Sequence, residues 1–299
     1  MPGEEVWQRI AAPDGRALEV MVAGPADGLP LVHHGGTPVA AVPYPPLIEA
    51  AAERGLRFVT YSRPGYATSD PCPGRSVAAA ADDVAAILDD LDAERFVTVG
   101  WSGGGPHALA CAAVLPDRCL AAATVSGVAP YGMSDLDWLD GQGEENIEEF
   151  GAALRGEKQL TEWLGDAADD MAQVSADDVA AVLGDLVSDV DKKALTGGYA
   201  EWWAASLRKA VSTGVAGWRD DDLAFLAPWG FDLAAITRPV AIWQGGQDRM
   251  VPFAHGEWLA AHVSNARSHL LPEDGHLSVG LGRVGEIVDE LVHLGDRAA

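Results

Sequence analysis

The stretch that decides the fold runs from Phe96 to Leu115, FVTVGWSGGGPHALACAAVL. Its first half is β-branched and apolar, the pattern of a buried strand. Its second half is rich in Ala and Leu, with Pro106 in a first helical turn, the pattern of a helix. Between them lies Gly100-Trp101-Ser102-Gly103-Gly104. A serine on a sharp strand-to-helix turn, with glycines on both sides to clear space, is presented at the C-terminal edge of a sheet and at the positive end of the following helix dipole. The plainer role for Ser102 is a helix N-cap, which requires no flanking glycines.

A serine hydroxyl is a weak nucleophile without a base and an acid to orient that base. On this architecture the chain order is Ser, then acid, then His. Downstream, the strand in RPVAIWQGG (238–246) ends at Gln247-Asp248-Arg249, which places Asp248 in a loop on the same edge as Ser102. The next strand, ARSHLLP (266–272), leads through Glu273-Asp274-Gly275 to His276, predicted in a loop. Asp248 also suits a turn or helix cap, and His276 an ordinary loop histidine. The rivals His255 and His262 fall in a predicted helix, His269 in a strand and His293 in the last helix, so the base is assigned to His276.

The apolar strand LPLV opens into His33-His34-Gly35-Gly36-Thr37-Pro38. Backbone N–H groups on such a loop, with that of Gly103, suit an oxyanion hole. Gly36 is the assigned donor, with Thr37 as its alternative. His34 precedes the nucleophile and is read as holding the loop.

Strands and helices alternate from residue 31 to 129, the signal of a parallel sheet with crossover helices. An N-terminal hairpin precedes them, VWQRIAA and RALEVMVAG around Pro13-Asp14-Gly15. The segment 76–91 is amphipathic, with Val77, Ala81, Val84, Leu88 and Leu91 on one face and Asp82, Asp83, Asp89 and Asp90 on the other. Over 131–230 the alternation stops. Helices are predicted there at 144–155, 160–171, 177–187 and 199–211, with no convincing strand. At 238 the strands resume, followed by helices at 255–263 and 284–294. The expected architecture is therefore α/β: a mostly parallel sheet with flanking helices, its core formed by 1–130 and 231–299, interrupted by an all-helical lid at 131–230.

Charge separates these regions. The chain has 299 residues and a formal net charge of −25. Residues 131–230 hold 21 acids and 7 bases, a net of −14. That balance disfavours a nucleic-acid partner or an anionic lipid surface, both of which need Lys and Arg. No run approaches the length of a membrane span, and the first twenty residues lack a secretory h-region. Three cysteines, Cys72, Cys111 and Cys119, an odd number without CxxC spacing, argue against a disulfide framework and a structural zinc site. A cytoplasmic, reducing location is expected, with Cys111 in the interior. The interruption also carries six of the ten tryptophans, Trp138, Trp163, Trp202, Trp203, Trp218 and Trp229. Their first reading is packing between helices, with some lining an apolar pocket over Ser102. Its acids read as a solvated face, although one or two turned inward would favour a cationic substrate.

In chain order, HGGTP (34–38), YSRPGYATSD (61–70), GWSGGG (100–105), GGQDRMVP (245–252) and DGHLS (274–278) resemble the recurring motifs of the α/β-hydrolase fold. They are most similar to its lidded branch of proline iminopeptidases, small esterases and haloperoxidase-like enzymes, over about residues 17–295. The resemblance implies a Ser102–Asp248–His276 triad, an oxyanion hole at Gly36 and Gly103, and no metal or organic cofactor. Proline iminopeptidases typically carry HGGPG and GGSWGS, which this chain replaces with HGGTP and GWSGGG. Ser102 stands where epoxide hydrolases and haloalkane dehalogenases carry Asp. Many relatives also have Asp at the position of Ser62 and Gly at that of Ala67. The implied activity is hydrolysis of a small carboxylic ester or lactone with an apolar group. The alternatives are a proline iminopeptidase-type aminopeptidase and a non-hydrolytic ligand-binding protein of the same fold.

Overall fold

In the computed structural model, which describes residues 5–298, the apolar runs assemble into one eight-stranded sheet. Its strands are β1 (Val6–Ala11), β2 (Ala17–Ala23), β3 (Leu29–His34), β4 (Leu56–Tyr61), β5 (Phe96–Trp101), β6 (Cys119–Val125), β7 (Val240–Gly245) and β8 (Ala266–Leu271). They lie in the order β1-β2-β4-β3-β5-β6-β7-β8. β1 pairs with β2 and β2 with β4 antiparallel; every other pairing is parallel. β5 and β6 are buried at every position, as central parallel strands covered on both faces must be.

Helices α1 (Pro45–Glu53), α2 (Ala80–Asp90) and α3 (Gly105–Val114) connect the first parallel strands. Between β6 and β7 come α4 (Glu144–Arg155), α5 (Glu157–Met171), α6 (Val179–Val182), α7 (Asp189–Ala194), α8 (Gly197–Ala210) and α9 (Ala216–Leu226). The chain closes with α10 (Phe253–His262), α11 (His276–Gly282) and α12 (Val284–Ala298). One face of the sheet is covered by α1 and α12, through Leu47, Ile48, Ile287, Val288 and Leu291. The other is covered by α2, α3 and α10, through Val84, Leu88, Leu109 and Leu259. Cys111 is buried on that second face. Among the described residues no helix is long and apolar enough to cross a membrane.

The structure departs from the sequence expectations in four places. The helix predicted at 177–187 shortens to α6 and a 3-10 turn at Gly184–Leu186, because Gly184 takes φ +52°. Helices α7 and α9 were not anticipated. Neither was α11, so His276 opens a helix where a loop was expected. Asp83, expected on the solvent face of α2, is buried and accepts a hydrogen bond from Arg16 Nη2 at 2.8 Å.

Candidate active site

The strand β5 ends at Trp101, and Ser102–Gly104 form one 3-10 turn before α3 begins. Ser102 sits at φ +55°, a left-handed conformation that residues with a β-carbon adopt rarely. The turn is possible because its neighbours lack side chains. A Cβ on Gly100 would lie 2.1 Å from the Gly104 carbonyl oxygen, and one on Gly104 would lie 2.0 Å from the His34 carbonyl oxygen. Ser102 is half-buried at the head of α3, where a helix N-cap alone would not require the strained backbone.

Asp248 and His276 meet at the same edge. His276 Nδ1 donates to Asp248 Oδ2 at 2.8 Å, with both side chains buried. Asp248 also accepts from Gln244 Nε2 at 3.0 Å and from the N–H groups of Met250 (2.9 Å) and Val251 (2.8 Å). Four donors fix the carboxylate, and the carboxylate fixes the imidazole tautomer that leaves Nε2 free to accept a proton. The His276 ring packs on Trp101 at 5.4 Å between centroids, directly beside Ser102 in sequence. Among the described residues no hydrogen bond joins Ser102 Oγ to His276. The rival histidines are engaged elsewhere: His255 accepts from the Ala129 N–H, and His269 Nε2 bonds Glu290.

The histidine is also held from the helical insertion. Asp191, fully buried on α7, accepts the N–H groups of His276 (2.9 Å), Leu277 (2.9 Å) and Ser278 (3.0 Å). These are the first N–H groups of α11, which have no partner within the helix itself.

The loop 34–38 approaches Ser102 from the end of β3. A Cβ on Gly36 would lie 3.7 Å from Ser102 Oγ, and one on Gly103 would lie 2.4 Å from Thr37 Oγ1, so Gly36 and Gly103 border the serine. His34 lies beneath the loop, its Nδ1 3.1 Å from Tyr61 Oη, and burial followed by the charges of His107 and Arg63 drives its pKa far down. The loop's main clamp is Arg63, a residue that sequence reasoning missed. It donates to the carbonyls of Gly35 and Gly36, the latter at 2.6 Å. Buried Asp221 on α9 accepts from Arg63 Nη2 (2.6 Å), Arg75 Nη2 (2.5 Å), Tyr66 Oη (2.9 Å) and Thr37 Oγ1 (2.8 Å). Burial opposes ionisation of Asp221, but the Arg63 and Arg75 guanidiniums hold its carboxyl well below the usual range.

A strained serine on a strand-to-helix turn, a carboxylate-bound histidine on the same edge and a glycine loop beside them are joined in one sheet whose topology can be compared with known proteins. A sequence profile of the α/β-hydrolase fold matches residues 31–282. The chain belongs to the α/β-hydrolase fold family. It is 28% identical over 250 residues to a non-heme chloroperoxidase of Streptomyces lividans, covering 82% of this chain and 83% of that protein. An esterase of Rhodococcus sp. superposes with a TM-score of 0.66 at 18% identity, covering 96% of this chain and 99% of that one. An enol-lactonase of Burkholderia xenovorans does so with the same score, identity and coverage.

In this α/β-hydrolase, Ser102 opens onto a cavity of about 250 Å³ between the sheet edge and the helices α4, α5, α6, α8 and α9. Four of the six tryptophans line it, Trp138, Trp163, Trp203 and Trp218. Trp202 instead packs on Tyr44 at 4.7 Å, and Trp229 on Phe231 at 5.8 Å. The solvated-face reading of the acids fails in part, since Glu149, Asp191, Asp220, Asp221 and Asp222 are all buried. Burial, partly offset by Asp222 and the Trp218 N–H, lifts the Glu149 carboxyl to about 7. Burial and the Glu149 charge lift Asp222 well above the carboxylate range. Their signal lies in the spacing Trp218, Asp221, Asp222, Phe225, the i, i+3, i+4, i+7 pattern of a buried helix face with aspartates in two apolar positions. Among the described residues no cluster of three or more His, Cys, Asp or Glu is arranged to hold a metal ion.

Proposed function

We propose that this protein is a serine hydrolase that cleaves a small carboxylic ester or lactone carrying an apolar group. The observation that carries the proposal is the buried His276–Asp248 pair on the sheet edge that also presents Ser102 at φ +55°. Ser102 Oγ attacks the substrate carbonyl carbon and passes its proton to His276 Nε2. The negative oxygen that forms is received by the N–H groups of Gly36 and Gly103. Asp248 steadies the imidazolium, which then protonates the departing alkoxide. The acyl group remains on Ser102 until a water, losing a proton to His276, attacks it and releases the acid. For a lactone, alcohol and acid leave as one molecule.

Residues 131–230 serve in this reading as a lid. The tryptophan-lined cavity suits the apolar part of the substrate, and Asp191 and Asp221 tie the lid helices to the histidine and to the oxyanion loop. Relatives named as an esterase and an enol-lactonase agree with ester chemistry. Three unpaired cysteines suit a reducing compartment such as the cytoplasm.

The test is hydrolysis of p-nitrophenyl esters of graded acyl length, with an N-terminal prolyl anilide assayed beside them. Wild type should turn over the esters in preference to the anilide, and Ser102→Ala should lower kcat by about a thousandfold or more while substrate still binds. Equal ester turnover in Ser102→Ala would sink the proposal.

A further inference from the structure

The cavity above Ser102 is chemically one-sided. Its wall carries four carboxylates, Glu145, Glu149, Asp170 and Asp222, and no Lys, Arg or His. One of these acids lacks the N–H or hydroxyl donors that buried carboxylates ordinarily have. Asp222 is fully buried, no N–H or hydroxyl group among the described residues donates to it, and its one partner is the Glu149 carboxyl. Glu145 is half-buried, its Oε1 accepting the Asp185 N–H at 2.9 Å while its Oε2 has no donor. Glu149 accepts from Trp218 Nε1 at its Oε1 (2.6 Å), and its carboxyl is hydrogen-bonded to that of Asp222. The contrast with the adjacent residue is sharp, because Asp221 draws donors from four side chains.

A purely structural role does not account for this arrangement. Two carboxyls packed together gain nothing from each other as anions and would be more stable as amides or apolar groups. Around them the wall is aromatic, with Trp138, Phe150, Trp163, Trp203, Trp218 and Phe225, whose ring faces also attract cations. The helical insertion itself carries −14, a field that draws cations toward the cavity mouth.

We infer that this cavity takes a substrate whose apolar body carries a protonated amine, its ammonium group seated against the Glu149–Asp222 pair. The inference rests on the reading of the cavity as the substrate pocket and names the class of substrate within it. In the empty cavity the two carboxyls retain a proton between them. An ammonium replaces that proton, so binding releases it to solvent. The other charged groups around the pair are Asp221, engaged by Arg63 and Arg75, Arg75 itself beside Asp220, and Asp170 and Glu145 on the cavity wall.

The test uses phenethylammonium, which has no bond to hydrolyse, and 2-phenylethanol as its neutral counterpart. Titration calorimetry on the full chain is run at about pH 8, where an amine of pKa near 10 stays protonated. Phenethylammonium should bind at least about tenfold tighter than the alcohol, a difference of roughly 1.4 kcal/mol. Its binding enthalpy should vary with the ionisation heat of the buffer, since a proton is released. Asp222→Asn and Glu149→Gln, made separately so that poor folding of one leaves the other, should each remove most of that preference. Equal binding of the alcohol would overturn the inference, because the pair would then act as a neutral hydrogen-bonding acid. Absence of binding by both compounds would overturn it too. Hydrolysis of neutral esters is scored independently: its failure with ammonium binding intact strikes the hydrolase reading alone, and the reverse result strikes only this inference.

Discussion

The sheet edge and the cavity wall both bury carboxylates, and they treat them in opposite ways. Around the edge every such group is saturated with donors: Asp248 by a histidine, a glutamine and two backbone N–H groups, Asp191 by the start of α11, Asp221 by two guanidiniums and two hydroxyls. Along the wall, Asp222 receives no N–H or hydroxyl donor and Glu149 only the Trp218 N–H. The boundary runs between two consecutive residues of α9. A saturated carboxylate is fixed in place and serves to position others, while an unsaturated one retains the capacity to bind something else. In the proposed reading, the contrast divides machinery from recognition more sharply than the sequence boundary between core and insertion does.

Substitutions on either side of that boundary should therefore diverge, and the largest difference is expected at the pair 221/222. Asp221→Ala strands two buried guanidiniums and should lower unfolding free energy by about 3–5 kcal/mol in chemical denaturation. Asp222→Ala should change it by less than about 1 kcal/mol, or raise it, because no charged donor loses its acceptor. Equal losses from the two would break the comparison. Next in size is Asp191→Ala, which leaves three backbone N–H groups of α11 without an acceptor and should cost about 2 kcal/mol. It should also lower kcat more than it raises KM, with partial rescue in Asp191→Asn, since Asn still offers an acceptor to a helix start.

A smaller effect separates the regions by pH. The folded-state pKa of Glu149, at about 7, lies above its ordinary value of 4.5, so the folded chain keeps a proton that the unfolded chain has released. Stability from this group is fully present below about pH 4.5 and declines as pH rises through 7. Glu149→Gln should flatten that decline, measured as denaturation midpoints across the window. The smallest change expected is a gain. Gly165 lies inside α5 with open space where a Cβ would sit, so Gly165→Ala should add about 0.5–1 kcal/mol to stability.

How much of this was legible in the sequence follows from what kind of interaction each feature depends on. The alternation of strands and helices, the Ser102 turn and the positions of Asp248 and His276 at strand ends could all be read, because local patterns encode them. The helix α11 could not, since HLSVGLG is short, contains two glycines and is helical largely because Asp191 caps it from 85 residues away. Arg63 and Asp221 escaped for a related reason. Each looks like a surface charge until the other is placed beside it, 158 residues distant in sequence. The run Asp220-Asp221-Asp222 reads as a solvated face by composition, whereas its helical spacing from Trp218 to Phe225 shows it facing inward.

The central claim is that Ser102 is made nucleophilic by the His276–Asp248 pair, and covalent labelling tests it most directly. The protein is treated with a fluorophosphonate probe and the modified peptide is located by mass spectrometry. The adduct should fall on Ser102 in wild type, form far more slowly in Asp248→Asn, and be absent in Ser102→Ala. Labelling confined to another residue, or a rate at Ser102 unchanged by Asp248→Asn, would contradict the account.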